Sequence, residues 1–189
     1  MTSERMEPGK IIKTFKSKKG NEVIFRYLKQ DDLDDMLAYI NELIAEDTYI
    51  GYGKPVTREE ERKVLKETLE KIEKGDQVWI VVEIDGRYSG TGEIRRSRTR
   101  RQNHVADLGI SLRKEYRNEG IGTELMTVLF DQARTVGITL VTLNCFENNT
   151  HACHVYGKLG FVKAGVIPNA IKWKDGYVGE VKFYLSLAP

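Results

Sequence analysis

Apolar positions change their period several times along this chain, and each change marks an element. Ile11 to Ser17 and Glu22 to Tyr27 read as two short strands around a Lys18-Lys19-Gly20-Asn21 turn, a small N-terminal hairpin behind a polar leader, Met1 to Lys10. After the cap residue Asp31, the positions Leu33, Met36, Leu37, Ile40, Leu43 and Ile44 keep one apolar stripe at helical spacing. Thr57 and Glu60 have the spacing of a capping box and open a second helix, with Val64 to Ile72 as its body and Gly75 as its stop. Val78 to Ile84, the turn Asp85-Gly86, and Arg87 to Ile94 follow as strand, tight turn and strand, and His104 to Leu112 extends them into an antiparallel meander.

The second half changes connection type. A helix pattern from Ile121 to Val136, ended by Gly137, lies between apolar strands at Ala106 to Leu112 and Thr139 to Cys145. That connection is long enough for a strand-helix-strand crossover, which makes the two strands a parallel pair. A short helix from Asn149 to Leu159 ends at Gly160, and strands at Phe161 to Val166 and Val178 to Ser186 flank the turn Lys174-Asp175-Gly176. The expected class is α/β (α+β), with residues 1–20 as leader and first hairpin strand and residues 21–189 as a single domain. No internal repeat or low-complexity tract interrupts it.

Composition narrows the functional classes. A hydrophobic content of 40% over 189 residues is enough for one core. The 30 basic and 28 acidic residues nearly cancel, to +2, so any anion site has to be local rather than a property of the whole surface. No apolar run has membrane-spanning length, and the N-terminal segment lacks a signal-peptide core. Two cysteines, Cys145 and Cys153, are too few for a disulfide framework, and a reducing cytoplasm is the expected location.

A local anion site is present at the strand-to-helix junction Arg117-Asn118-Glu119-Gly120-Ile121-Gly122-Thr123. Gly120 and Gly122 let the backbone turn tightly and bring N–H groups close to an anion, and the start of the new helix adds unpaired amides and the positive end of its dipole. Arg117 offers a planar fork suited to phosphate oxygens. Downstream, the strand ending at Cys145 leads to Asn149-Thr150-His151-Ala152-Cys153-His154-Val155-Tyr156-Gly157-Lys158-Leu159-Gly160-Phe161. Together the two segments resemble the acyl-coenzyme A site of the GNAT superfamily of N-acyltransferases. That site has a (Gln/Arg)-x-x-Gly-x-(Gly/Ala) turn, then Asn-x-x-Ala-x-x-x-Tyr-x-(Lys/Arg)-Leu-Gly-Phe. Element order and spacing agree as well as letters, and the likeness extends more weakly from about Val23 to Leu185.

The resemblance implies a mixed central sheet of about six to seven strands flanked by about four helices and splayed open, with acetyl-coenzyme A in the gap. The main chain of Ile110, Ser111 and Leu112 would pair with pantetheine. Arg117, Asn118, Gly120, Ile121, Gly122 and Thr123 would hold the pyrophosphate, and Asn149 and Tyr156 would also contact the cofactor. It implies transfer of the acetyl group to a primary amine, a small molecule or a peptide N-terminus, by direct attack in a ternary complex. An ammonium of reference pKa about 10.4 has to lose a proton first, and Asp107 and Glu93 are the candidate bases. Tyr156 matches the general acid that protonates the departing thiolate, and a backbone N–H near Leu112 would steady the oxyanion. The Tyr49 to Pro55 loop, with Tyr49 and Tyr52, and the Gly165 to Gly176 segment are expected to frame the acceptor. No metal is implied, and a homodimer is compatible with the sequence.

Other signals are weaker. Of Cys145, His151, Cys153 and His154, only the two histidines share a helical face, and no spacing fits a zinc finger. The run Arg95-Arg96-Ser97-Arg98-Thr99-Arg100-Arg101 lacks interleaved aromatics and falls at a hairpin tip, which favours a solvated turn over a nucleic-acid surface. A coenzyme A sensor without turnover, keeping the glycine turn while Tyr156 stands idle, is the alternative to an enzyme.

Overall fold

Eight strands and four α-helices are seen in the computed structural model, which describes residues 6–51 and 53–188. β1 (Ile11–Lys16) and β2 (Glu22–Tyr27) precede α1 (Leu33–Ala45) and α2 (Arg58–Glu73). β3 (Gln77–Ile84), β4 (Arg87–Arg96) and β5 (Val105–Leu112) follow, then α3 (Ile121–Thr135) and β6 (Leu140–Phe146). The chain ends through α4 (Thr150–Lys158), β7 (Val162–Trp173) and β8 (Gly176–Ser186). The ladder order is β1-β2-β3-β4-β5-β6-β8-β7. The β5–β6 pair is parallel, as a crossover through α3 requires, while β1–β2, β2–β3, β3–β4, β6–β8 and β7–β8 are antiparallel.

The class is the mixed α/β one expected, with one strand beyond the expected count. The N-terminal hairpin forms from β1 and β2, and because β2 also pairs with β3 the hairpin continues the sheet. Two boundaries also move. The capping box forms, with Glu60 N–H donating to Thr57 Oγ1 and Thr57 N–H to Glu60, so α2 starts at Arg58 and not at Val64. β7 runs on to Trp173, with a register shift between Ile167 and Ile171 that accommodates Pro168.

The chain forms two compact units, one comprising the residues up to Arg95 with Gly109–Val136, the other Arg96–Leu108 with the residues from Gly137 onward. In the first unit, α1 and α2 bury Met36, Tyr39, Leu43, Leu65 and Ile72 with Leu28, Val81 and Tyr88 in one cluster. Each large apolar side chain so buried contributes about 1.5–3 kcal/mol. α3 buries Ile121, Leu125, Met126, Leu129 and Ala133, and it can approach β4 closely because position 92 is glycine: a Cβ there would sit 2.7 Å from Leu129 Cδ1. Arg26, itself buried, holds Asp32 through two 2.8 Å hydrogen bonds and Glu83 through a third at 2.9 Å, tying β2 to the entry of α1.

In the second unit, β6 and β8 pair from Leu140↔Ser186 to Phe146↔Glu180, and β7 closes on β8 as a long hairpin. Val105, Ala106 and Asp107 pair with Leu140, Val141 and Thr142; Leu108–Leu112 of β5 lies beyond that register. The arginine run begins at the end of β4, with Arg95 and Arg96, and continues into the β4–β5 connection, where Arg98, Arg100 and Arg101 are exposed. Among the described residues, no helix is long and apolar enough to cross a membrane.

Gly90 is the tightest point of the first unit, since a Cβ there would lie 2.4 Å from Leu112 Cδ2 and 2.8 Å from the Ser111 carbonyl oxygen. Because one of those atoms is backbone and cannot rotate away, Gly90→Ala is expected to destabilise the fold by about 1–3 kcal/mol, measured as a lower urea midpoint with an unchanged m-value.

Candidate active site

The glycine turn sits in the first unit, between β5 and α3. Past a 3-10 turn at Lys114–Tyr116, Asn118 and Gly120 both take left-handed backbone angles, φ 65° and φ 83°, with Glu119 between them. Gly120 is the N-cap of α3 and supplies no side chain to cap it, so the first amides of the helix, from Ile121, Gly122 and Thr123, are free to bind an external anion. The alternating left-handed backbone turns consecutive N–H groups toward one concavity. Gly122 plays a different part from Gly120: a Cβ there would meet Ile110 Cδ1 and Leu112 Cδ1 at ordinary contact distances of 3.6 and 3.7 Å. Only Gly120 is demanded by backbone conformation.

The turn is anchored by Glu119, a residue that sequence reasoning passed over. Its side chain is buried and accepts hydrogen bonds from Ser17 Oγ at 2.6 Å and Asn21 Nδ2 at 3.0 Å, and it is ion-paired with Lys19 at 3.1 Å. Lys18 N–H donates to the Glu119 carbonyl at 3.2 Å. The β1–β2 turn is therefore a clamp on the anion loop. The Ser17 hydrogen bond, with help from Lys19 and Asn21, holds the Glu119 carboxyl below its usual range against the opposing effect of burial. Lys13 of β1 adds an ion pair with Glu124 in the first turn of α3.

Arg117, expected to offer its fork to phosphate, spends that fork inside the protein. Both terminal nitrogens meet Glu46, at 2.5 and 2.7 Å, and Nε donates to the Leu112 carbonyl at 2.9 Å. It braces the C-terminal end of α1 against the end of β5.

Ile110 and Ser111 line a cavity of about 250 Å³ that belongs wholly to the first unit. Its walls are Met36, Tyr39, Ile40 and Leu43 from α1, Glu61 and Val64 from α2, Ile50 and Gly51 from the loop, and Trp79, Tyr88, Thr91, Glu93 and Gly109 from the sheet. Tyr39 Oη donates to Ser111 Oγ at 2.8 Å, which occupies the serine side chain, and burial pushes the Tyr39 and Tyr88 phenols well above the usual range. Glu93 reaches the cavity over the bare face of Gly109, where a Cβ would come within 3.1 Å of its Oε1. Gln77 Nε2 donates to Glu93 Oε2 at 2.8 Å and Arg95 lies 3.5 Å from Oε1, so this carboxylate is both oriented and partly balanced.

The remaining expected residues lie elsewhere. Tyr49 is exposed and is not among the cavity walls, and Tyr52 lies outside the described residues. Asp107, Asn149 and Tyr156 belong to the second unit. Asp107 is paired in register with Thr142. Asn149 caps α4, its Oδ1 accepting from Ala152 N–H at 3.2 Å. Tyr156 packs edge-on against Phe161 and Phe183, with centroids 5.9 and 5.8 Å away, and burial raises its phenol well above the usual range, with smaller contributions from Cys145 and Cys153. The two cysteines are free thiols with sulfurs 3.4 Å apart, and burial pushes Cys145 up to about 12.

A mixed sheet with a parallel β5–α3–β6 crossover and a turn without a side-chain cap at the head of α3 is the arrangement that the sequence resemblance implies. The chain belongs to the acetyltransferase (GNAT) family, whose model matches residues 37–161. Solved structures of similar fold include an N-acetyltransferase from Staphylococcus aureus Mu50 (TM-score 0.80, 21% identity, 88% of this chain and 99% of that one). A GNAT-family acetyltransferase from Streptococcus pneumoniae is equally comparable (TM-score 0.78, 22% identity, 87% and 99%). A putative acetyltransferase from Salmonella typhimurium, solved with its cofactor acetyl-CoA, also matches (TM-score 0.78, 14% identity, 88% and 95%).

Because the Glu119 carboxyl is held below its unfolded value, the stability it contributes is fully present above about pH 4.3 and is lost as pH falls through the folded value. Glu119→Gln is expected to cost about 1–3 kcal/mol at neutral pH. The gap between the two proteins should shrink as pH drops below ~4, read as converging thermal midpoints.

Proposed function

We propose that this protein is an N-acetyltransferase that moves the acetyl group of acetyl-coenzyme A to a primary amine by direct attack in a ternary complex, acting in the reducing cytoplasm. The observation that carries the reading is the uncapped, left-handed turn Asn118–Gly120 at the head of α3, a main-chain anion cradle in a chain of the GNAT family. Relatives of the same fold support it: the Salmonella protein was solved with acetyl-CoA, and the ribosomal L7/L12 N-terminal acetyltransferase RimL in complex with coenzyme A.

In this reading the amides of Asn118 and Gly120–Thr123 bind the pyrophosphate, and the main chain of Ile110–Leu112 pairs with pantetheine, with Asn149 as a further contact. Leu108–Leu112 lies beyond the β5–β6 register, which leaves main-chain groups in need of partners. Of the two candidate bases, Glu93 is favoured over Asp107 because Glu93 faces the cavity and Asp107 is not among its walls. Glu93 takes the proton from the acceptor ammonium, the amine forms the new C–N bond, and the C–S bond breaks with its electron pair leaving on sulfur. Tyr156 delivers a proton to that thiolate, and the second proton of the former amine nitrogen, released as the amide forms, restores the phenol. Burial raises the pKa of this phenol, so Tyr156 enters the step protonated.

A thiol-release assay across a panel of amines and peptides tests the proposal. Tyr156→Phe is expected to lower kcat about 10²-fold or more while KM for acetyl-coenzyme A stays within ~3-fold of wild type. Equal kcat in the variant would retire Tyr156 as the acid. Acetyl-coenzyme A uptake with no acetylated product from any amine would leave a sensor in place of an enzyme.

A further inference from the structure

The cavity of the first unit contains a carboxylate that the reaction does not require. Glu61 begins the buried face of α2, which continues through Leu65, Thr68 and Ile72, yet it is a glutamate and only 5% exposed. Among the described residues its carboxylate has neither a hydrogen-bond donor nor a cation, and the sole influence on its pKa is burial, which raises it. It faces the cavity lined by Tyr39, Tyr88, Trp79 and Glu93.

A buried carboxylate without a partner is costly, and apolar residues flank it along the same helix face, so packing alone does not account for it. Among the described residues, no lysine, arginine or histidine lines the cavity to answer it. The nearby cation Arg113 is directed away: it is ion-paired with Glu42, donates to the Tyr88 carbonyl at 2.9 Å, and stacks 5.3 Å from the Tyr39 ring centroid. A cationic ligand group would supply the missing counter-charge. The rest of the lining describes that ligand. Met36, Ile40, Leu43, Ile50 and Val64 suit an alkyl chain, and the faces of Tyr39, Tyr88 and Trp79 attract a cation. The volume, about 250 Å³, is below the ~300–1,000 Å³ typical of sites for drug-sized ligands.

We propose that this cavity is the acceptor site and that Glu61 holds the non-reacting cationic end of a small diamine, whose other nitrogen is presented to Glu93. The assignment of the reacting nitrogen rests on the acetyltransferase reading, whereas the charge-selective binding does not. Glu61 is thus a specificity-determining residue.

The test compares cadaverine, a straight-chain diamine, with hexylamine, a monoamine of matched length, titrated calorimetrically into the full chain with coenzyme A present. Cadaverine is expected to bind at least about ten-fold more tightly than hexylamine. Glu61→Gln is expected to bring the two within about three-fold of each other by weakening cadaverine alone. Trp79, in the cavity wall, provides a second reading through its fluorescence. The variant should fold normally, with a thermal midpoint unchanged or raised, because it breaks no internal contact. Equal binding of the two amines to the wild type, or an equal loss of both in the variant, would overturn the proposal. Cadaverine selectivity without acetylated product would sink the acetyltransferase reading while leaving the site intact.

Discussion

Glu119 is held by three side chains of a single short turn, Ser17, Lys19 and Asn21, and the shape of the β5–α3 junction follows from that attachment. A left-handed residue on each side of a buried carboxylate is not a conformation the backbone would choose unaided. Asn118 at φ 65° is one of the few non-glycine residues of the chain to adopt it. The cost is local, and it is offset by hydrogen bonds to an ionised acceptor, which are stronger than neutral ones. These contacts hold the loop without any ligand, so binding need not spend energy on ordering it.

The same economy governs charge. Arg117, Arg113 and Arg26 are all turned inward onto carboxylates, Glu46, Glu42, and Asp32 with Glu83, so the cationic side chains that a reader would assign to ligands serve as braces. Anion affinity is left to backbone amides, and the aromatic cavity is left with acidic groups only. That division is what the proposed function requires, an anionic cosubstrate and a cationic acceptor.

Much of this was legible in the sequence. The helical stripe from Leu33 to Ile44, the Thr57–Glu60 capping box and the strand-glycine-helix junction all rest on local periodicity and turn chemistry, and all appear. What stayed hidden depends on contacts remote in the chain. Glu119 lies within the quoted motif, but its partners are about a hundred residues away, and no local pattern announces them. Arg117 looked like a phosphate ligand because its partner Glu46 is equally remote. The N-terminal hairpin was legible, but its place in the sheet was not, because only the β2–β3 pairing shows that the sheet continues through it. Glu61 did carry a signal. It stands four residues before Leu65 on the apolar face, and a charged residue in register with a buried stripe is a site worth asking about. Of the expected Tyr49 to Pro55 loop, Ile50 and Gly51 line the cavity, and among the described residues Tyr39 and Tyr88, placed by helix and strand periodicity, are its tyrosines.

Whether the clamped turn is the coenzyme A site is best settled by calorimetric titration of coenzyme A into wild-type protein and Glu119→Gln side by side, at low ionic strength. Uptake by the wild type, weakened about ten-fold or more in the variant while its fold is retained, is the predicted result. Identical affinities in the two proteins, or no uptake by either, would contradict it.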